Sequence, residues 1–195
     1  MLSLYLSLIS LNLVLSFIPL IKKWKSITNV VFAISSMTLL FWMFSCYMLW
    51  NAGDMLFWVR MAFVGPSFLP TALFLFVTRF PKKSMNISMI QTISLLALSV
   101  VFAMLALTDF IVIDIRSMTD VTFNYGHKIW SIYFLGFMIA IFTIIYKKIH
   151  KSTGEDRLKV KYIALGIILT ISMAVIFNLI LPLIGITKFT NIGPL

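Results

Sequence analysis

Charged residues are scarce in this chain of 195 residues. They make up 11% of it, against roughly 25% in an ordinary soluble domain, whereas hydrophobic residues make up 61% rather than roughly 45–50%. So much apolar surface could not be hidden from water, and long apolar runs predict helices that satisfy their own backbone hydrogen bonds in lipid. The composition therefore excludes a soluble domain and predicts an integral membrane protein.

The chain also has few of the residues that enzymes use for catalysis. Cys46 is the single thiol, so neither an intrachain disulfide nor a cysteine-based metal cluster can form. His127 and His150 fall in connections between apolar segments, on opposite faces of the predicted bundle, and no carboxylate lies in the middle of an apolar segment. No glycine-rich phosphate loop is present. We therefore expect no catalytic residues, no metal and no cofactor.

The apolar residues form six segments, each of about 18 residues or more, which is enough to cross a hydrocarbon core of about 30 Å. They predict an all-α, polytopic bundle of about six transmembrane helices within a single domain, 1–195, with no soluble domain. The predicted spans are about 4–21, 27–50, 55–78, 87–107, 129–146 and 162–184.

The basic residues are distributed unevenly between the two sides of this bundle. A net charge of +10 could indicate nucleic-acid binding, but the Lys and Arg residues form short clusters between the spans rather than one stripe, which excludes that function. Cytoplasmic loops retain Lys and Arg, so the side with twelve of them is predicted to be cytoplasmic and the side with four to be outside. We therefore expect a multi-pass protein of the cell membrane with its amino terminus outside. The cytoplasmic set is Lys22, Lys23, Lys25, Arg79, Lys82, Lys83, Lys147, Lys148, Lys151, Arg157, Lys159 and Lys161, and the outer set is Arg60, Arg116, Lys128 and Lys188.

Arg60 lies about one and a half turns into the third predicted helix, at shallow membrane depth. A charge there either faces the bundle, pairing with an aspartate of an outer loop or with an anionic ligand, or extends its long stem to the headgroups. Both interpretations remain open from the sequence.

Small and polar residues recur at every fourth position of the sixth predicted helix. Gly166, Thr170, Ala174, Asn178 and Pro182 therefore share one face. Small residues let helix backbones approach closely, so this face is predicted to pack against another helix, with ligand contact as the alternative.

Three stretches of the chain together resemble the N-terminal seven-transmembrane sensor region of prokaryotic histidine kinases. They are residues 54–70, the start of the sixth span with Gly166, and residues 178–185 leading to residues 191–194. The resemblance implies that Trp58 with Arg60, and Asn178 with Pro182, are recurrent features of the outer half. It also implies a seventh helix, an output domain and a homodimer, so we expect this chain to be truncated before its seventh helix. The resemblance does not imply a kinase within these residues, because His150 is followed by Lys-Ser-Thr-Gly rather than by an acidic residue.

The resulting hypothesis is a membrane-embedded sensory input module of a signal-transduction receptor, upstream of a histidine kinase or a similar cytoplasmic output. Its partners would be the lipid bilayer, an unknown signal or small ligand, and the output domain. Trp58, Arg60 and Asn178 are the residues predicted to contact the signal. The alternative is a small multi-pass transporter or channel subunit.

Overall fold

The computed structural model describes residues 2–23, 25–117, 120–181 and 184. Most of these residues lie in six helices, with one short β-hairpin between the fourth and the fifth. In chain order the elements are α1 (Leu2–Lys23), α2 (Ile27–Asn51), α3 (Met55–Arg79), α4 (Met89–Ala106), β1 (Val112–Ser117), β2 (Asp120–Phe123), α5 (Tyr125–Lys151) and α6 (Gly154–Val175), followed by a π-helical turn (Ile176–Ile180).

Helices α2 to α6 are each long and apolar enough to cross a membrane, and α1, with 22 residues, contains the apolar stretch Ile9–Pro19. The predicted fold class, an all-α polytopic bundle, is confirmed. The hairpin is the part of the described fold that the hydropathy pattern did not indicate.

Helices α5 and α6 extend beyond the apolar segments that predicted them. Asn124 caps α5, because its side-chain oxygen accepts a hydrogen bond from the backbone N–H of Tyr125 at 2.7 Å. Only Ser152 and Thr153 separate α5 from α6, and the tight connection requires a left-handed backbone at Gly154, where φ is +56°. The segment 147–161, which looked like a polar loop, is therefore mostly helical.

The hairpin occupies the connection between α4 and α5. Strands β1 and β2 are antiparallel, with Val112 opposite Phe123 and Ile115 opposite Val121. Val112 and Ile115 are buried against the bundle, whereas the residues between them are exposed. These two buried residues hold one face of the hairpin against the helices.

Helix α3 is the centre of the bundle, in contact with α2, α4, α5 and β1. Of its most apolar part 67% is buried, compared with 22% for α4. Gly65 allows the close crossing of α2 and α3, because a Cβ at this position would lie 2.7 Å from the carbonyl oxygen of Thr38.

The two ends of the bundle are named as follows. The hairpin end carries β1 and β2, and the basic end carries the carboxyl end of α5.

Candidate functional site

Arg60 ties α3 to the connection that leads into the hairpin. Its guanidinium donates hydrogen bonds to the carbonyl oxygen of Val112, from Nη2 at 3.1 Å and from Nε at 3.3 Å, and Nη2 also pairs with the carboxylate of Asp109. The side chain of Arg60 is only 16% exposed, whereas that of Asp109 is 77% exposed. Of the two interpretations that the sequence left open, the contacts favour pairing with an aspartate of this connection.

Local capping on both sides positions the Arg60 contact. Asp54 caps α3 by accepting a hydrogen bond from the backbone N–H of Phe57 at 2.9 Å, which fixes the first turn before Arg60. On the other side, the amide of Asn124 donates to the carbonyl oxygen of Asp109 at 2.8 Å. We call Arg60, Asp109, Val112 and Asn124 the Arg60 cluster.

The bonds to the backbone carbonyl contribute more to the Arg60 cluster than the ion pair does. An exposed ion pair is worth about 0–1 kcal/mol and weakens with salt, because water screens the carboxylate. A hydrogen bond from a charged donor to a half-buried carbonyl is worth about 1.5–3 kcal/mol. The bonds to the carbonyl oxygen of Val112 therefore account for most of the strength with which the Arg60 cluster holds the hairpin.

Trp58 lies on a different side of α3 from Arg60, since positions two residues apart do not face each other on a helix. Its ring packs edge-on against Phe44 of α2, with the centroids 5.9 Å apart, and against Phe57 at 5.1 Å. The structure therefore does not bring Trp58 and Arg60 together around one ligand. Trp58 supports the α2–α3 contact, and its predicted sensing role stays a prediction.

The remaining predicted residues lie on or beyond α6. Ala174 is buried and belongs to a small cluster with Trp42 and Ala62. Gly166 and Thr170 are exposed, and a Cβ added at Gly166 would meet no described atom within 4 Å. The packing role of these residues therefore stays a prediction.

Two of the predicted residues are described only in part or not at all. Asn178 belongs to the π-helical turn, but its side chain lies outside the described residues, and so does the whole of Pro182. The predicted signal contact of Asn178 and the predicted packing of Pro182 therefore stay predictions.

A cavity of about 80 Å³ lies between α2, α3, α5, α6 and the hairpin. We call it the hairpin-end cavity. Its walls are almost entirely apolar and include two tryptophans. The lining residues are Leu39, Trp42, Cys46, Leu49, Val59, Ala62, Phe63, Pro66, Leu69, Val121, Phe123, Trp130, Phe134, Thr170, Ile171 and Ala174.

Two tryptophans, Trp42 and Trp130, line the hairpin-end cavity, and Nε1 of Trp130 donates a hydrogen bond to Ser67 Oγ at 3.0 Å. Most buried hydroxyls of the bundle bond their own helix, as Ser45 does to the carbonyl oxygen of Phe41 at 2.8 Å. The cavity is therefore lined almost entirely by apolar groups.

A buried polar network next to the cavity joins α3, α4 and α5. The hydroxyl of Tyr133 donates to the carbonyl oxygen of Ser67 at 2.7 Å and lies 3.1 Å from Ser99 Oγ, which lies 2.8 Å from Thr71 Oγ1. This network was not predicted from the sequence. The available signal was the placement of Ser67 and Thr71 four residues apart on one face of α3, with a tyrosine in α5 as a partner.

Lys148 ties α5 to the carboxyl end of α3. Its ammonium donates to the carbonyl oxygens of Val77 at 2.7 Å and Lys82 at 2.9 Å, and also to that of Phe80. A cation at this place satisfies carbonyls that the helix leaves unpaired and lies favourably in the helix dipole. Lys148, counted from the sequence as one more charge of a cytoplasmic loop, is therefore a buried capping residue.

His127 was expected in a connection, but it is buried in the first turn of α5. Its ring lies 4.3 Å from that of Phe123 and 5.9 Å from that of Phe63. Among the described residues, no group of three or more His, Cys, Asp or Glu side chains could hold a metal ion. The site is therefore made of an arginine clamp, an apolar cavity and aromatic walls.

Comparison with known proteins places the chain in a family. The model of the N-terminal 7TM region of histidine kinase matches residues 3–194, which is nearly the whole chain. The chain belongs to this family. The resemblance inferred from residues 54–70, from the start of the sixth span and from the stretch that begins at residue 178 is thereby confirmed. The sensor region is a membrane-embedded part of signal-transduction proteins. No match was found among curated proteins or among solved structures.

Proposed function

We propose that this sensor region receives a signal at its hairpin end and passes it through α3 to a cytoplasmic output domain in the full-length receptor. The family supports a sensory input module, and the excess of Lys and Arg at the basic end supports a cytoplasmic position for that end. The hairpin end, with the amino terminus, is then outside the cell.

One observation carries this proposal: α3 is clamped near both of its ends. Arg60 holds its beginning to the hairpin, and Lys148 holds its carboxyl end to α5. The second clamp extends to α6, because Lys82 pairs with Asp156 at 2.6 Å. A displacement of the hairpin therefore acts on a helix whose carboxyl end is bonded to α5 and is followed closely by a residue that pairs with α6.

A signal acts in this scheme by binding one helix arrangement better than another. Differential affinity of this kind is what a ligand needs in order to shift a conformational population. Opening of the Arg60 cluster is the proposed difference between the two arrangements. The output domain reads the resulting change at the basic end, and a homodimer of the receptor would give that domain a partner.

The transporter or channel alternative lacks a supporting observation. Such a protein needs polar groups that cross the midplane and exchange partners with a solute. The buried polar groups around Tyr133 instead satisfy one another in a closed network.

The test is the effect of Arg60→Ala on the autophosphorylation rate of the full-length receptor in nanodiscs. We expect the unstimulated rate to change by roughly three- to tenfold, because removal of the clamp shifts the balance between arrangements by about 1 kcal/mol. Arg60→Lys should give an intermediate change, since it keeps the charge but loses the forked geometry.

Arg116→Ala is the matched control, because Arg116 is an exposed arginine of the same hairpin. It should leave the rate unchanged. If both Arg60 variants retained the wild-type rate at normal membrane abundance, Arg60 would be only an interfacial anchor and the proposed coupling would be wrong. Loss of the protein from the membrane would make Arg60 structural instead.

A further inference from the structure

We propose that the start of α6 binds an anionic phospholipid, with Arg157 and Lys161 on the phosphate of its headgroup and the leucines that follow them along its acyl chain. This inference names a partner of the basic end, which the proposed function does not use. It rests on the proposed function only for the leaflet, because a cytoplasmic basic end would place the lipid in the inner leaflet. Binding itself is measured without reference to orientation or output.

The basic end carries more positive charge than the chain itself can neutralise. Its acidic residues are Glu155 and Asp156, since the other four acids of the chain precede α3 or lie between α4 and α5. Glu155 pairs with Lys159 at 3.0 Å, and Asp156 pairs with Lys82 at 2.6 Å. An anionic partner from outside the chain is therefore complementary to this end. Five exposed cations of α5, α6 and the segment after α3 have no carboxylate partner among the described residues: Lys83, Lys147, Lys151, Arg157 and Lys161.

Two of these cations share one face of α6 with exposed leucines. Arg157, Lys161, Leu165 and Leu169 follow one another at four-residue spacing, and all four are exposed. We call these residues the Arg157 face. Leu169 lies about 12 Å beyond Lys161 along the helix axis, which is within the roughly 15 Å of one hydrocarbon leaflet. The Arg157 face therefore presents charge to a headgroup and an apolar surface to the acyl chain beneath it.

Tyr162 indicates the depth of the Arg157 face in the membrane. It is exposed and follows Lys161 directly, and an exposed tyrosine at the end of an apolar helix lies at the level of the headgroups. Val160 and Ala164 are buried, so the bundle packs against another side of α6 and leaves the Arg157 face to the lipid. The two cations thus lie on the polar side of Tyr162, where lipid phosphates are.

The side chains of the Arg157 face suit a phospholipid phosphate. A guanidinium forms two parallel hydrogen bonds with a phosphate, and a lysine adds a point charge. Lys147 and Lys151 have the same spacing on α5, but this pair lacks an arginine and its face reaches Thr143 one turn closer to the membrane centre. A free phosphate ion would contact the cations but not the leucines. The Arg157 face therefore fits a lipid better than the α5 pair does.

The probes are phosphatidylglycerol and phosphatidylcholine with identical acyl chains, titrated separately into the full-length receptor in a non-ionic detergent. Native mass spectrometry counts the lipid molecules bound to each receptor. We expect phosphatidylglycerol to bind roughly fivefold or more tightly than phosphatidylcholine, because one net negative charge near a Lys or Arg changes the affinity by about that factor.

Double variants on two helices separate a site from the net charge of the basic end. Arg157→Gln with Lys161→Gln should weaken phosphatidylglycerol binding roughly five- to twentyfold and leave phosphatidylcholine binding unchanged. Lys147→Gln with Lys151→Gln is the matched control, because it removes the same charge from α5, and it should weaken binding by less than about twofold. Exchange of the two cations, Arg157→Lys with Lys161→Arg, should retain most of the preference.

Equal affinities of the wild type for the two lipids would overturn the proposal. Wild-type binding in the α6 double variant, or an equal or larger loss in the α5 double variant, would also overturn it, because the lipid would then respond to net charge alone. The four substituted positions are exposed, so each variant should keep the wild-type melting temperature. These measurements do not involve the output domain, so their failure is distinct from an unchanged autophosphorylation rate in the Arg60 variants.

Discussion

Replacement of Lys148 by methionine tests whether the clamp at the basic end stabilises the bundle. Methionine has nearly the same length and keeps the apolar stem in place, so the substitution removes the ammonium and its three carbonyl partners. The ammonium is buried, and its acceptors are Val77, Phe80 and Lys82. These carbonyls would be left at the end of α3 without a donor.

The expected loss follows from these bonds. A single hydrogen bond from a charged donor contributes about 1.5–3 kcal/mol to the free energy of unfolding. The contributions of bonds that share one ammonium do not add, and water can reach part of the site. We therefore expect Lys148→Met to destabilise the bundle by about 2–4 kcal/mol. With about 2–4 °C per kcal/mol for a chain of this size, the melting temperature should fall by roughly 5–15 °C.

The assay is thermal unfolding of the purified protein in detergent, followed by tryptophan fluorescence. Lys147→Met is the matched control, because Lys147 is the exposed neighbour in the same helical turn and the change removes the same charge. It should shift the melting temperature by less than about 2 °C, as exposed substitutions usually do. Equal shifts in the two variants would refute the assignment of Lys148 as a cap of α3.

Two further predictions concern helix packing and orientation. Gly65→Ala should destabilise the bundle by about 1–3 kcal/mol, because the added Cβ would meet a backbone carbonyl of α2. Gly136→Ala is the control, because a Cβ added there would meet no described atom within 4 Å. It should be neutral or slightly stabilising in the same melting assay. In a Cys46→Ser background, single cysteines at Ser117 and Lys151 should label from outside and from inside respectively. Labelling of position 151 on intact cells by an impermeant reagent would reverse the assigned orientation.

The helices could be predicted from the sequence because each contains a contiguous apolar segment. Their ends could not, since α5 continues through polar residues to Lys151 and α6 starts at Gly154, well before its apolar part. Backbone hydrogen bonds and caps extend a helix beyond the segment that lipid requires. The hairpin was missed because its strands are short and carry exposed charges, such as Asp114 and Arg116.

The candidate site was predictable only where a charge is conspicuous. Arg60 stood out because an arginine within an apolar segment needs a partner, and an aspartate of the connection was one expected class of partner. The bond from Tyr133 to Ser67 joins residues 66 positions apart, and Lys148 meets Val77 across 71 positions. Such pairs follow from how helices pack rather than from any local pattern. For the same reason, the composition of the single helices does not reveal the hairpin-end cavity.

The most direct test of the central claim is to perturb the hairpin end and measure the basic end. Spin labels on cysteines at Lys83, after α3, and Lys161, on α6, report the arrangement of the basic end in a Cys46→Ser background, because both positions are exposed. Pulsed electron–electron double resonance gives the distribution of distances between the two spin labels. If α3 carries the signal, Arg60→Ala adds a second population to this distribution and Arg116→Ala does not. Superimposable distributions for the wild type and Arg60→Ala would contradict the account.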